Sequence, residues 1–219
     1  MELKGKKINF LGDSITLGAG ASEPSKCLVG LLKEQCALAE ARNYGVGRTR
    51  IARQSEMKDP VADEDFLMRA EKMDRDCDII VVFGGTNDFG HGQAPLGKFE
   101  DTEPFTFYGA LHSLILYLIE NFTDSEIVFL TPMHRHNELS CYGCWKPEGV
   151  EQRPLCDYVK AIKEVCAHHS VPVLDLFSSG SMHGNNPIWC KKYMPDGLHP
   201  NDAGYIRLAQ RVRSFLEAL

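Results

Sequence analysis

No stretch of the sequence is apolar for long enough to cross a lipid bilayer. Residues 1–6 lack the apolar core of a secretion signal and lead directly into a predicted strand, so we expect a cytoplasmic location. Basic residues are scarce: 24 Lys and Arg stand against 30 Asp and Glu, which gives a net charge of −6. This balance argues against nucleic acid or an anionic membrane as the main partner. Internal repeats, low-complexity runs and linkers are absent too, which predicts one domain over residues 1–219.

The sequence does contain strand and helix patterns that alternate about five times. This alternation predicts an α/β fold, a three-layer α/β/α sandwich around a five-stranded parallel sheet. Residues 78–83 form an unbroken apolar run after the first position, which is typical of a central parallel strand buried on both faces. The predicted strands are 7–11, a short strand that starts at 43 and breaks into a loop by 49, 78–83, 126–131 and, near an edge, 171–176. The predicted helices are 24–41, 64–73, 105–122, 153–168 and a terminal helix capped by Asn201.

Four polar clusters follow the predicted strands or lie in the last long loop. Carboxyl ends of parallel strands meet at one edge of a sheet, so side chains far apart in sequence can converge there. The first cluster taken alone is also compatible with simple turn and cap chemistry. The clusters are Gly12-Asp13-Ser14-Ile15-Thr16, Gly45-Val46-Gly47-Arg48-Thr49, Gly85-Thr86-Asn87-Asp88 and Asp196-Gly197-Leu198-His199-Pro200.

The residue types in these clusters meet the needs of acyl transfer. A serine hydroxyl such as that of Ser14 is a poor nucleophile until a base removes its proton, and His199 can be that base. Asp196, three residues earlier, can accept a hydrogen bond from the other imidazole nitrogen. A developing oxyanion needs donors already aimed at it, which the backbone N–H groups of Ser14 and Gly47 and the side-chain amide of Asn87 can provide.

With all four clusters in this order between residues 12 and 200, the sequence resembles the SGNH hydrolases, also called the GDSL esterase/lipase family. The resemblance implies a flavodoxin-like fold, Ser14 as nucleophile, Asp196 and His199 as the rest of a triad, and no metal or cofactor. It implies Gly47 and Asn87 as oxyanion donors. Gly45 could replace Gly47 in that role, but Gly47-Arg48-Thr49 is more similar to the corresponding segment of family members, and Gly45 is also explained as a turn at a strand end.

Two acidic side chains of the clusters are predicted to have structural roles. Asp13 and Asp88 are expected to tie loops together by accepting hydrogen bonds from backbone N–H groups, rather than to act on substrate.

A second set of residues that could bind a metal or act on substrate follows the fourth predicted strand. His134, His136, Cys141 and Cys144 could supply four zinc ligands, but their spacing is not a recognised zinc pattern, and we predict no metal. A redox Cys-x-x-Cys is disfavoured because the pair lies in a polar loop. His134 and Arg135 are predicted to form a wall of the substrate pocket. Structural or surface roles are predicted for the remaining histidines, His91, His112, His168, His169 and His183.

Aromatic residues are concentrated in the two long loops that should flank the site. Tyr142 and Trp145 lie in the first loop, and Trp189 and Tyr193 lie in the second. These aromatic side chains could form a platform for a sugar ring or could anchor the loops against the core, and the sequence does not decide between the two roles. We include Trp189 and Tyr193 among the pocket residues.

These observations predict a serine esterase that hydrolyses small acyl esters, chiefly acetyl groups on a carbohydrate. Polar and aromatic loops favour such a substrate over triglyceride. A lysophospholipase, a thioesterase or an O-acetyltransferase would use the same triad. A binding module on a dead scaffold would lack a catalytic group, and none is missing here. A flavodoxin-like nucleotide binder would need a phosphate-binding glycine loop, and Gly18-Ala19-Gly20 without a further signature is too little for one. The sequence leaves open whether the protein forms a homo-oligomer.

Overall fold

A computed structural model describes residues 1–140 and 150–219. Its centre is a five-stranded sheet in the order β2-β1-β3-β4-β5, with every neighbouring pair parallel. The order is that of flavodoxin-like sheets. The predicted fold class is confirmed, and so is the edge position of the last strand. The strands are β1 (Lys7–Gly12), β2 (Glu40–Gly45), β3 (Ile79–Phe83), β4 (Glu126–Leu130) and β5 (Val173–Leu174).

Helices cover both faces of this sheet. On one face α3, α5 and α6 enclose one apolar core, and on the other face α2 and α9 pack against each other over a second core. The helices of the described residues are α1 (Ser14–Leu17), α2 (Leu28–Gln35), α3 (Phe66–Ala70), α4 (Thr86–His91), α5 (Phe107–Asn121), α6 (Leu155–His168), α7 (Leu176–Ser179), α8 (Pro187–Tyr193) and α9 (Asp202–Ala218). Among them, none has the length and apolar character needed to cross a bilayer.

Strand β3 shows why the layers form. Its five residues are all buried; Ile80 and Val82 point into the first core, while Ile79, Val81 and Phe83 point into the second. Successive side chains of a strand point to opposite faces, so a strand covered on both faces must be apolar throughout. The prediction of a central, doubly buried strand is confirmed.

Several predicted boundaries are wrong. The predicted helix 24–41 is a 3-10 turn (Pro24–Lys26), the extended residue Cys27 and then α2, which ends at Gln35. Strand β2 starts at Glu40, three residues before the predicted start at 43, and ends at Gly45. It is an edge strand of half-buried polar residues whose position is set by pairing with β1, so no apolar alternation reveals it. The helix predicted at 64–73 is only α3, which begins after Asp65, whose carboxylate accepts from the Met68 N–H.

Short helices were missed in the predicted loops. Helix α4 lies among glycines and starts after Gly85, whose φ of 102° is a left-handed conformation. Helix α8 starts at Pro187, and Asn186 caps it by accepting from the Ile188 and Trp189 N–H groups. An Asn-Pro pair is a helix-start signal that could have identified α8. Strand β5 is shorter than predicted because Leu176 already begins α7. The predicted cap of the terminal helix is confirmed: Asn201 Oδ1 accepts from the Gly204 N–H.

Candidate active site

Ser14 lies directly beyond the carboxyl end of β1, as the first residue of α1. The turn between strand and helix is tight: a Cβ on Gly12 would come within 2.0 Å of Thr16 Oγ1 and 2.8 Å of the Phe83 carbonyl oxygen, so only glycine fits. Asp13 caps α1 by accepting from the Ile15 N–H at 2.9 Å. The strand-to-helix turn therefore holds the Ser14 hydroxyl at the carboxyl edge of the sheet.

Ser14, His199 and Asp196 form a continuous hydrogen-bonded chain. Ser14 Oγ lies 2.9 Å from His199 Nε2, although the two residues are 185 positions apart. His199 Nδ1 lies 2.6 Å from Asp196 Oδ2. The other Asp196 oxygen accepts from the backbone N–H groups of Leu198 (2.9 Å) and His199 (2.7 Å), so one turn holds both acid and imidazole.

The charge state of Asp196 follows from these contacts. Partial burial acts to raise the pKa of Asp196, but the hydrogen bonds from the His199 side chain and from two backbone N–H groups outweigh it, and the pKa lies below its usual value. The carboxylate is therefore ionised at neutral pH and can only accept hydrogen bonds. It follows that His199 Nδ1 donates to Asp196, and with Nδ1 protonated the neutral tautomer of His199 would present the Nε2 lone pair to the Ser14 hydroxyl.

Loops from two sides pack against the turn that carries Asp196 and His199. The Gly197 carbonyl accepts from the His136 N–H at 2.8 Å, and a Cβ on Gly197 would come within 2.8 Å of the His136 Cβ. On the other side Gly20 has no room for a Cβ, which would come within 2.4 Å of the Pro200 carbonyl oxygen and 3.3 Å of the His199 Cβ. These contacts fix the position of the imidazole relative to Ser14.

The two glycines of the second cluster have different surroundings. A Cβ on Gly47 would lie 3.9 Å from the Ser14 Cβ, so the Gly47 backbone is next to Ser14. A Cβ on Gly45 would overlap the Leu17 backbone nitrogen at 2.2 Å. Gly45 therefore permits β2 to pack on α1, whereas Gly47 is the glycine that lies next to the Ser14 side chain.

Asn87 lies in the first turn of α4 and is buried. Its Nδ2 donates to the Thr49 carbonyl oxygen at 3.0 Å, which ties α4 to the loop that carries Gly47. A carboxamide nitrogen has two hydrogens, and this bond uses one of them. Its Oδ1 lies 3.1 Å from His91 Nε2.

Asp13 and Asp88 serve the structure as predicted. Asp88 accepts from the backbone N–H groups of Ile51 (3.0 Å) and Ala52 (2.8 Å), which ties α4 to the chain after Gly47. Burial raises the pKa of Asp13 to about 6, even though the Ile15 N–H hydrogen bond and the nearby His199 act in the opposite direction.

The residues predicted as a pocket wall have mostly structural contacts. Arg135 donates from Nη1 to the Thr86 carbonyl and hydroxyl oxygens, both at 3.1 Å, and stacks over the Phe89 ring. Tyr193 is buried in the second core and its hydroxyl accepts from Arg207 at 2.8 Å, so it anchors α8 to α9. Trp189 is 37% exposed on α8.

His134 belongs to a cluster with Glu138 and His183 whose possible ligand atoms lie within 4.8 Å of one another. His134 Nδ1 is 2.8 Å from Glu138 Oε2, and the two imidazoles stack at 3.9 Å with an interplanar angle of 5°. An ion bound in the plane of one of these parallel rings cannot lie in the plane of the other. The arrangement therefore ties two loops together, and it does not match a metal centre. Tyr142, Trp145, Cys141 and Cys144 lie outside the described residues.

Comparison with known proteins identifies the family and the fold. The sequence profile of the GDSL-like Lipase/Acylhydrolase family matches residues 10–207. No curated protein shows a significant sequence match. A crystal structure of a protein from Lactobacillus plantarum is 29% identical, with a TM-score of 0.83 over 98% of both chains. The lipase/acylhydrolase from Enterococcus faecalis is 24% identical, with a TM-score of 0.65 over 97% of this chain and 96% of that one.

A further fold neighbour has a stated substrate. It is a two-domain esterase active on acetylated mannans, co-crystallised with mannopentaose, and it is 20% identical with a TM-score of 0.61. The match covers 99% of this chain and 50% of that one. At this identity the likeness concerns the fold alone.

Proposed function

The chain belongs to the GDSL-like lipase/acylhydrolase family, and from that premise we propose that it is a serine esterase with Ser14 as nucleophile, His199 as general base and Asp196 as the orienting acid. The observation that carries the proposal is the pair of contacts at His199: 2.9 Å to the Ser14 hydroxyl and 2.6 Å to the Asp196 carboxylate. Nucleophile, base and orienting group within hydrogen-bond reach are what an activated serine needs.

The proposed reaction has two halves. As Ser14 Oγ attacks the ester carbonyl carbon, His199 Nε2 takes the hydroxyl proton and Asp196 stabilises the imidazolium. The tetrahedral intermediate then expels the alcohol, which receives the proton from His199 and leaves an acyl group on Ser14. Water, activated by the same imidazole, attacks the acyl-enzyme and releases the carboxylic acid.

Three donors are proposed to stabilise the oxyanion. They are the backbone N–H groups of Ser14 and Gly47 and the Asn87 Nδ2 hydrogen that Thr49 does not use. The closeness of Gly47 to Ser14 and the burial of Asn87 support this assignment. Donors fixed in place before the reaction stabilise developing charge more than mobile water does, because they need no reorganisation.

For the substrate we propose a small acyl ester, specifically an acetyl group carried by a carbohydrate. The exposed indole of Trp189 supports this choice, because it offers an apolar face of the kind that stacks on sugar rings. The neighbour that acts on acetylated mannans is an example of this fold with such a substrate.

The proposal is tested by hydrolysis of p-nitrophenyl esters of increasing chain length beside a panel of acetylated oligosaccharides. We expect the highest kcat/KM for acetyl esters, release of acetate from the oligosaccharides, and loss of both in Ser14→Ala. A phosphonofluoridate should label Ser14 stoichiometrically by mass spectrometry. A preference for long acyl chains or thioesters would contradict the substrate class. Absence of a Ser14 adduct, with thermal stabilisation by a ligand, would instead support a binding module.

A further inference from the structure

His91 contacts the proposed oxyanion donor from within the same helix. It is the last residue of α4, four positions after Asn87, so its side chain lies on the same face of the helix. His91 Nε2 is 3.1 Å from Asn87 Oδ1, and His91 Nδ1 is 3.2 Å from Arg50 Nη1. The proposed triad uses neither contact.

Chemistry determines the direction of every hydrogen bond in this chain of groups. A guanidinium can only donate, so Arg50 donates to His91 Nδ1, which must be unprotonated. The proton of a neutral imidazole is then on Nε2, which donates to Asn87 Oδ1. At the far end the Thr49 carbonyl can only accept, so it is Asn87 Nδ2 that faces it. Both ends therefore select one orientation of the Asn87 carboxamide.

This hydrogen-bonded chain requires a neutral His91 imidazole, and the surroundings of His91 favour the neutral form. Burial, with Arg50 and Arg135 nearby, lowers the pKa of His91 to about 4. His91 therefore stays neutral at physiological pH, and Nδ1 remains able to accept.

The hydrogen-bonded chain from Arg50 through His91 to Asn87 is anchored at Arg50. Arg50 is buried, pairs with the Asp63 carboxylate through Nη2 and also donates to the Arg48 carbonyl oxygen at 3.3 Å. Asp63 in turn accepts from the backbone N–H groups of Lys58 and Asp59, both at 2.7 Å. Arg50 is thus fixed by two segments and cannot easily turn away from His91.

We infer that His91 is a positioning residue that holds the Asn87 carboxamide with Nδ2, and not Oδ1, available to the oxyanion. The inference rests on the proposed function. If the carboxamide rotated by half a turn, an oxygen would replace the donor and would repel the developing negative charge. His91 itself does not touch the reacting atoms.

His91→Gln and His91→Asn separate this role from a general need for a polar side chain. The amide of Gln reaches the position of Nε2, while the shorter Asn reaches only the position of Nδ1. We expect His91→Asn and the apolar His91→Phe to lower kcat on p-nitrophenyl acetate about tenfold to a hundredfold, within the effect of losing one oxyanion donor, with KM within about twofold. His91→Gln should recover most of kcat.

A double-mutant cycle tests whether His91 acts through Asn87. In the Asn87→Ala background, His91→Phe should cause no further loss of kcat, because there is no carboxamide left to orient. His112→Phe is the matched control: His112 is also buried, but it bonds with the Phe99 carbonyl and His169, remote in sequence from the four clusters. It should retain wild-type kcat.

The outcomes separate this inference from the proposed function. If the wild type hydrolyses no ester, the proposed function itself fails. If the wild type is active and Ser14→Ala is not, but His91→Asn equals His91→Gln in kcat, the positioning role is refuted while the esterase assignment stands. Additive losses in the double mutant would also overturn it. If His91→Phe does not fold, the comparison of kcat between His91→Gln and His91→Asn still tests the positioning role.

Discussion

The acid–base side of the site and its proposed oxyanion side differ in how they are held. Asp196 and His199 share one turn and are partly open to solvent, with 55% and 25% of their side chains exposed. Asn87 is only 5% exposed and is held by Thr49 on one side and by His91 on the other. A group that exchanges protons must reach water during hydrolysis, whereas a donor to an oxyanion works best when it is dry and immobile. The two sides thus have the surroundings that their proposed roles require.

His199→Ala tests the acid–base side and should have the largest effect. We expect kcat on p-nitrophenyl acetate to fall by about three to four orders of magnitude, because His199 is the proposed base that contacts the Ser14 hydroxyl. The circular dichroism spectrum of the variant should match that of the wild type, which would show that the fold is retained. Activity close to that of the wild type would remove His199 from the mechanism.

Asn87→Ala tests the oxyanion side. We expect a loss of kcat of about a hundredfold with a smaller change in KM, since the donor acts on charge that develops in the transition state. Asn87→Asp, which keeps the size but removes the N–H groups, should be at least as inactive. A variant that loses only substrate affinity would indicate ground-state binding instead.

The two glycines near Ser14 allow a matched pair of stability tests. Gly45→Ala should lower the free energy of unfolding by about 2–3 kcal/mol, because its methyl group would overlap the Leu17 backbone. Gly47→Ala should stay within about 0.5 kcal/mol of the wild type, since its methyl group would meet Ser14 at an ordinary contact distance. Urea unfolding measures both. Equal destabilisation would show that Gly47 is as tightly packed as Gly45.

Asp13, the residue that caps α1 beside Ser14, predicts a pH effect on stability. Its pKa is about 6 in the folded protein and about 4 in an unfolded chain, so the folded state binds the proton more tightly. Stability contributed by the protonated form is therefore present below pH 4 and is lost as pH rises through 6. Relative to Asp13→Asn, which keeps the cap acceptor, the wild type should lose about 2 kcal/mol between pH 4 and 7 in urea unfolding. A constant difference across that range would contradict the raised pKa.

How much the sequence predicts depends on the range of the contacts. Strand β3 and the terminal helix follow local patterns, and both were predicted correctly. Strand β2 carries polar residues and takes its position from pairing with β1, so its bounds were wrong. Helix α4 lies where the prediction had the end of a strand followed by a glycine-rich loop.

That error also hid His91. Had residues 86–91 been predicted as a helix, the spacing of four between Asn87 and His91 would have indicated a contact. The partner Arg50 would still have been out of reach of any local pattern. His134 and Arg135 show the same limit: their position after β4 is where a pocket wall would be expected, yet their contacts serve the loops around the site.

The sequence by itself determined the alternation of strands and helices, the order of the four clusters and the Asp196–His199 turn, because these depend on neighbours within a few residues. Only the tertiary structure decided that His199 meets Ser14 across 185 positions, that Gly47 and not Gly45 lies next to the Ser14 side chain, and that Arg50, His91 and Asn87 form one hydrogen-bonded chain. These contacts join segments whose approach depends on the packing of the whole sheet and its helices, and packing of that kind leaves no periodic signal in any one segment.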